Sequence, residues 1–270
     1  MNQWGLKTST LNECRRLALN KLDEKKVKPV YIALSGSHLY GFPSKDSDID
    51  IRCSHIVDTK SLFHLSKPFE ILQWKDEIDG IEIEFESQEI RKTIVLAMGN
   101  NSNILEHIFT KNMLSTEPVE YSRLKELASN SISKIVFNPY HGLAEFNYRK
   151  FIDSMNPTYR DKLVKKYLYV IRAYLVGTHV LDTGEIKPNI KEHINSIDDK
   201  NDRSLIHELI KKKEDAEYQI AAIDHRRCRE LIARLKAYME VSKFNSKLPD
   251  KPNNYDAWDD FLYNIRLRNI

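Results

Sequence analysis

Two aspartates one residue apart, Asp48-Ile49-Asp50, follow the pair Gly36-Ser37 after ten intervening residues. On an extended strand, side chains two positions apart point to the same side, so both carboxylates would be aimed together. Two aimed carboxylates repel unless a cation neutralises them, and hard oxygen ligands suit Mg²⁺ or Mn²⁺. Gly36 allows a backbone to approach a ligand closely, and loop N–H groups with the Ser37 hydroxyl suit phosphate oxygens. A further acidic segment, Ile81-Glu82-Ile83-Glu84-Phe85-Glu86, alternates at strand period, with the three glutamates on one face. If it lies beside the Asp48–Asp50 strand, one glutamate completes a cluster of three carboxylates. Such a cluster can hold two divalent ions about 3.5–4 Å apart, one on an incoming hydroxyl and one on a triphosphate. The matching chemistry is in-line attack of a hydroxyl on the α-phosphate of a nucleoside triphosphate, with loss of pyrophosphate.

The elements around these residues fit that placement. Val30–Leu34 is a short apolar run stopped by Ser35-Gly36-Ser37, a buried strand entering a tight loop. Asp48–Cys53 alternates polar and apolar, and Asp79-Gly80 is a turn signal before the 81–86 strand. Leu11, Cys14, Leu17, Ala18 and Leu22 predict a helix over 10–25, capped by Ser9 or Thr10. Helices are also expected over 88–98 and over 102–110, the latter capped by Asn101 or Ser102. Beyond about residue 115 no clear strand appears, and 119–136, 141–155, 159–180, 203–242 and 256–267 all read as helical. Residues 243–255 form a polar, proline-containing connector. The expected organisation is an α/β domain over 1–115 and an α-helical domain over 116–270.

Composition narrows the class. The 270 residues are 41% hydrophobic and 10% aromatic, enough for a sizeable core and against global disorder. Three scattered cysteines, Cys14, Cys53 and Cys228, make neither a disulfide framework nor a paired metal motif. No apolar run approaches the roughly 18 residues of a membrane span, and the first residues lack the apolar stretch of a secretory signal. A soluble, cytoplasmic protein is therefore expected. Net charge is +3, from 42 basic and 39 acidic residues, which neither demands nor forbids a nucleic-acid partner.

The spacing Gly36-Ser37, ten residues, Asp48-Ile49-Asp50 resembles the signature of the DNA polymerase β nucleotidyltransferase superfamily. The fuller run GSHLYGFPSKDSDIDIR is similar to its branch known as the RNA repair pathway DNA polymerase beta family. Further likeness lies in Glu84, in Glu89-Ile90-Arg91-Lys92, in Asn101–Glu106 (with Ser102 where proline is usual), in Lys165–Arg172 and in Thr183-Gly184-Glu185. It spans roughly residues 30–190. The resemblance implies a mixed, five-stranded nucleotidyltransferase sheet. It implies that Gly36 and Ser37 grip the triphosphate and that Asp48 and Asp50 bind two Mg²⁺ or Mn²⁺ ions. Glu84 would be the third carboxylate, helping to activate the attacking hydroxyl, with Glu82 as the fallback. Lys166 and Arg172 would meet triphosphate or acceptor phosphate from a helix whose positions 165, 169, 172 and 176 share one side.

Each of these residues also has a plainer reading. The glutamates are equally suited to the wet face of an edge strand. His38 and Tyr40 fit nucleotide contact or packing, Lys45 an exposed turn, and Asn101 a helix cap rather than a ligand. The basic helix could be an ordinary amphipathic one. Arg172 and His179 match a loose Arg-x6-His ribonuclease spacing that arises easily by chance. Arg226-Arg227-Cys228-Arg229 suits a nucleic-acid backbone or, given Asp224 and Glu230 beside it, a plain surface helix. The expected function is metal-dependent transfer of a nucleoside monophosphate from an NTP, such as ATP, to an acceptor hydroxyl, with an RNA 3′ end ranked first. The alternatives are AMP transfer to a protein hydroxyl, a non-catalytic nucleotide- or RNA-binding module, and a ribonuclease-like helical domain.

Overall fold

A computed structural model of the protein describes residues 6–154, 163–215 and 223–270. The chain forms two compact units. The first gathers Met1–Leu39, Asp48–Ile132 and Pro252–Ile270; the second gathers Tyr40–Ser47 and Ser133–Lys251. These units do not follow the expected cut at residue 115, because three stretches cross it.

The first unit is built on a five-stranded sheet of order β3-β4-β2-β1-β5. Its strands are β1 (Lys28–Leu34), β2 (Ile49–Ile56), β3 (Ile71–Ile78), β4 (Ile81–Glu89) and β5 (Met113–Thr116). β2 and β4 are parallel, and the other neighbours are antiparallel. The sheet is thus mixed, as the resemblance implies. β3 and β5 are additional to the strands expected from sequence. Asp79 (φ 53°) and Gly80 (φ 78°) both take left-handed backbone, which lets the two-residue turn close the β3–β4 hairpin.

One sheet face carries Ile49 and Ile51 of β2 with Ile83 and Phe85 of β4. It buries them against Leu11, Cys14, Ala18 and Leu22 of α1 (Thr8–Glu24). Lys7, not Ser9 or Thr10, precedes the first turn of that helix, and no side chain caps it. Strand alternation sends Asp50, Arg52, Glu82, Glu84 and Glu86 to the other face.

The helices α3 (Ile90–Met98), α4 (Ser102–Phe109), α5 (Pro118–Ser131) and the C-terminal α10 (Tyr255–Arg268) complete the first unit. Asn101 caps α4 as expected, its Oδ1 accepting from the Ile104 N–H at 3.2 Å. Polar bonds hold α10 in place. Trp258 Nε1 donates to Ser131 Oγ at 2.7 Å, and Arg266 pairs with the buried Glu89 at 2.8 Å. The other Glu89 oxygen caps α3 by accepting from the Arg91 N–H at 2.8 Å.

The second unit is helical: α6 (Phe137–Asn147), α7 (Leu163–Thr183), α8 (Lys200–Glu214) and α9 (His225–Asn245). The single helix expected over 203–242 is two helices. Asp224 starts the later one by accepting from the Arg227 N–H at 3.0 Å. The expected helix start at 159 lies outside the described residues. Tyr40–Ser47 belongs to this unit through Tyr40 and Phe42, whose rings sit 5.7 and 5.9 Å from that of Tyr169. Lys213 adds a hydrogen bond from Nζ to Ser44 Oγ.

All three cysteines are buried and free. Burial pushes the thiols up, to about 11 at Cys14 and about 12 at Cys228, which keeps them protonated and unreactive. Among the described residues no helix is long and apolar enough to cross a membrane.

Candidate active site

The signature begins where β1 ends. The Ser35 N–H donates to the Asp50 carbonyl at 2.8 Å, carrying the β1–β2 pairing one step past Leu34. The chain then turns at Gly36 with φ 59°, a backbone that side-chain-bearing residues rarely adopt. A Cβ on Gly36 would stand 1.9 Å from Asp50 Oδ2. The glycine is therefore required twice, by its own conformation and by the carboxylate lying against it. Gly36–Tyr40 then forms one short helix, α2, rather than an open loop, with Ser37, His38 and Leu39 buried.

The acidic strands meet as their alternation requires. Asp50 on β2 is the register neighbour of Glu84 on β4, and Glu84 is in turn the register neighbour of Lys75 on β3. Three strands thus present a row Lys75–Glu84–Asp50 on one face. Lys75 Nζ lies 2.7 Å from Glu84 Oε1 and 2.5 Å from Glu82 Oε1. Hydrogen bonds that Lys75 donates to Glu82 and Glu84 hold its ammonium pKa above the usual value. Arg52 Nη2 pairs with Asp50 Oδ1 at 2.9 Å, while its Nη1 donates to the carbonyls of Ile51 at 3.1 Å and Glu84 at 3.3 Å. Glu86 is held differently, by the amides of Gln73 at 2.7 Å and Gln88 at 3.1 Å. Asp48 stands exposed, just ahead of β2.

Asp50 and Glu84 are the part of the expected trio brought into register. Among the described residues no three His, Cys, Asp or Glu side chains converge on one point as a ready metal cage. The donor chemistry is of the hard-oxygen type that suits a divalent ion: Asp50 and Glu84 share one face, and that face already holds the cationic side chains of Lys75 and Arg52.

Beneath the turn lies a support that sequence reasoning missed. His107 on α4 has Nε2 2.9 Å from Ser35 Oγ, a buried bond. Asn112 takes the Leu34 N–H on its carbonyl at 2.9 Å and gives its Nδ2 to the His38 carbonyl at 3.2 Å. The signature turn is therefore pinned on both sides. No spacing in the sequence marks His107 or Asn112, since both act through residues some 70 positions away.

The cationic helix of the second unit differs from expectation. Arg172 is only 1% exposed, and its guanidinium carbon stacks 3.6 Å from the centre of the Tyr40 ring. Val176 is also buried. The stripe 165, 169, 172, 176 is therefore no solvated cationic face, because α7 is packed on most of its circumference. Lys166 Nζ sits 3.8 Å over Phe151 and 5.6 Å from the Tyr169 ring. His179 serves other neighbours than Arg172 does: its ring is 4.9 Å from that of His193. In the basic run, Arg226 pairs with Glu230 at 2.9 Å, and Arg229 donates to the Ile152 carbonyl at 3.3 Å.

Comparison with known proteins bears on this geometry. The model of the RNA repair pathway DNA polymerase beta family matches residues 13–264. The chain belongs to that family. Membership supports nucleotidyl transfer as the general class of chemistry. An uncharacterised protein of Methanocaldococcus jannaschii is 30% identical over 163 residues, which are 59% of this chain and 63% of that protein. An uncharacterised protein of Bacillus subtilis is 26% identical over 164 residues, 60% of each chain. The matched part thus spans about three fifths of these relatives. A solved nucleotidyltransferase-like protein from Exiguobacterium sibiricum aligns over 96% of this chain and 80% of its own, at 12% identity and a TM-score of 0.34.

Proposed function

We propose that this member of the family is a divalent-metal-dependent nucleotidyltransferase that moves a nucleoside monophosphate from an NTP, such as ATP, to an acceptor hydroxyl. The observation that carries the reading is the join of the two signature halves: Gly36 against Asp50 Oδ2, and Asp50 in register with Glu84. Gly36 and Ser37 would hold triphosphate oxygens, and Asp48, Asp50 and Glu84 would hold Mg²⁺ or Mn²⁺. When bound, such ions supply charge neutralisation at the triphosphate and acidify the acceptor hydroxyl. The acceptor oxygen attacks the α-phosphorus, its proton passes to Glu84, and the bond to the α–β bridging oxygen breaks. Pyrophosphate leaves with that electron pair. No direct phosphate contact is proposed for Arg172, which lies stacked under Tyr40; Lys166 stays a candidate for one. An RNA 3′ end is the acceptor we rank first, in keeping with the family's description.

The test is incubation with α-labelled NTPs, Mg²⁺ or Mn²⁺, and total RNA or a panel of proteins. Label on RNA, lost in the double variant Asp48→Ala, Asp50→Ala, is the expected result. Label on protein would replace the acceptor with a protein hydroxyl. Equal transfer by the double variant would end the catalytic assignment, and RNA shortening without NTP would favour a ribonuclease.

A further inference from the structure

The Lys75–Glu84–Asp50 row contains a cation that the proposed chemistry does not use. Two basic side chains serve the acidic face, and they are built differently. Arg52 is fixed: its guanidinium is tied to two backbone carbonyls as well as to Asp50, and it is mostly covered. Among the described residues Lys75 is tied only to the two glutamates; it sits on the edge strand and is 66% exposed. A lysine is a compact point charge on a flexible stem, so it can leave two carboxylates without disturbing the strand that carries it. Its ammonium contacts one oxygen of each of Glu82 and Glu84, where a small cation would make its own contacts.

We propose that Lys75 is the resident, displaceable counterion of the site, occupying the Glu84 carboxylate until a divalent ion takes its place. The proposal rests on the nucleotidyltransferase reading only for the identity of the incoming ion. Lys75 then sets the threshold for loading. It keeps Glu82 and Glu84 from repelling one another in the empty site, and it raises the divalent concentration needed to fill it. Glu82 gains a role as well. It is the second anchor that draws Lys75 off Glu84's row, which accounts for two adjacent glutamates on one face where one suffices for chemistry.

The test is Mn²⁺ titration of the full chain, followed by the loss of the free-ion electron paramagnetic resonance signal, for the parent protein, Lys75→Met, Lys75→Arg and Asp50→Asn. Removing the ammonium should tighten Mn²⁺ binding by about tenfold, the scale of one neighbouring charge in a half-wet site. Lys75→Arg should weaken it, because a guanidinium grips two carboxylates with more bonds and leaves less readily. Equal affinity in the parent, Lys75→Met and Lys75→Arg, with binding lost in Asp50→Asn, would overturn the Lys75 proposal and leave the metal-dependent reading standing. Binding that Asp50→Asn does not diminish would instead remove the metal reading. Failure of Lys75→Met to bind Mn²⁺ where the parent binds it would overturn the Lys75 proposal and leave the metal-dependent reading standing.

Discussion

Asp50 Oδ2 fills the volume that any side chain on Gly36 would need. Glycine and carboxylate are thus two halves of one fitting, and Gly36 cannot gain a side chain while Asp50 keeps its place. Gly36→Ala should cost about 1–3 kcal/mol for the left-handed backbone. It must also drive Asp50 from its place. Urea unfolding measures the first effect and nucleotide transfer the second. Transfer should fall well beyond what the stability loss explains, and a variant that kept full transfer would deny Asp50 its part.

The register makes Glu84, not Glu82, the neighbour of Asp50. Glu84→Gln should lower the transfer rate by roughly a hundredfold or more, the scale of a lost catalytic base. Glu82→Gln should stay within a few-fold of the parent. Single-turnover assays on both variants decide the matter, and a reversed order would move the third carboxylate to Glu82.

Glu89 serves two helices at once, capping α3 and pairing with Arg266 of α10. Arg266→Ala leaves a buried carboxylate without its partner and should destabilise the protein by about 3–5 kcal/mol. Arg266→Ala combined with Glu89→Gln should recover part of that loss. Thermal melts of the two variants, together with Glu89→Gln alone, give the coupling; strict additivity would mean that the pair does no joint work.

His55 is buried, with Nδ1 2.8 Å from Ser87 Oγ. Burial lowers its pKa from 6.5 to about 4, with Arg266 adding to the effect and a hydrogen bond to the Phe69 backbone opposing it. The folded state therefore favours the neutral ring. Above pH 6.5 both states are neutral and His55 makes no pH-dependent contribution. Below it the unfolded chain takes up the proton first, so stability falls as pH drops towards 4, by about 3 kcal/mol in all. Urea unfolding at pH 7, 5.5 and 4.5 should show this slope, shallower in His55→Gln. His141, His179 and His193 are shifted the same way, so a residual slope is expected in that variant.

Much of this was readable in the chain and some was not, for physical reasons. Strand alternation was enough to put Ile49–Cys53 and Ile81–Glu86 on strands, and the two do lie side by side, while Asp48 stands one residue ahead of its strand. β3 was not read because Lys75-Asp76-Glu77 breaks its alternation and only Leu72 and Ile78 are fully buried. β5 is four residues long, too short for any period to show. Lys75 was lost with its strand. The burial of Arg172 was not legible because a cation on an apolar helix suggests a wet edge, whereas Tyr40, on which it stacks, lies 132 positions earlier. Periodicity reports which side of an element faces inward. It does not report which distant segment comes to cover it.

The ten residues between Ser37 and Asp48 lie mostly in the second unit, although both ends of the signature lie in the first. The C-terminal helix likewise returns to the unit that the N-terminal half begins. No single scission of the polypeptide can then liberate a self-sufficient half. A product ending near residue 115 would forfeit Ser131, Trp258 and Arg266, and would leave Glu89 without its Arg266 partner. The five-stranded sheet therefore depends on α10, a segment more than 130 positions beyond β5, for part of its cover.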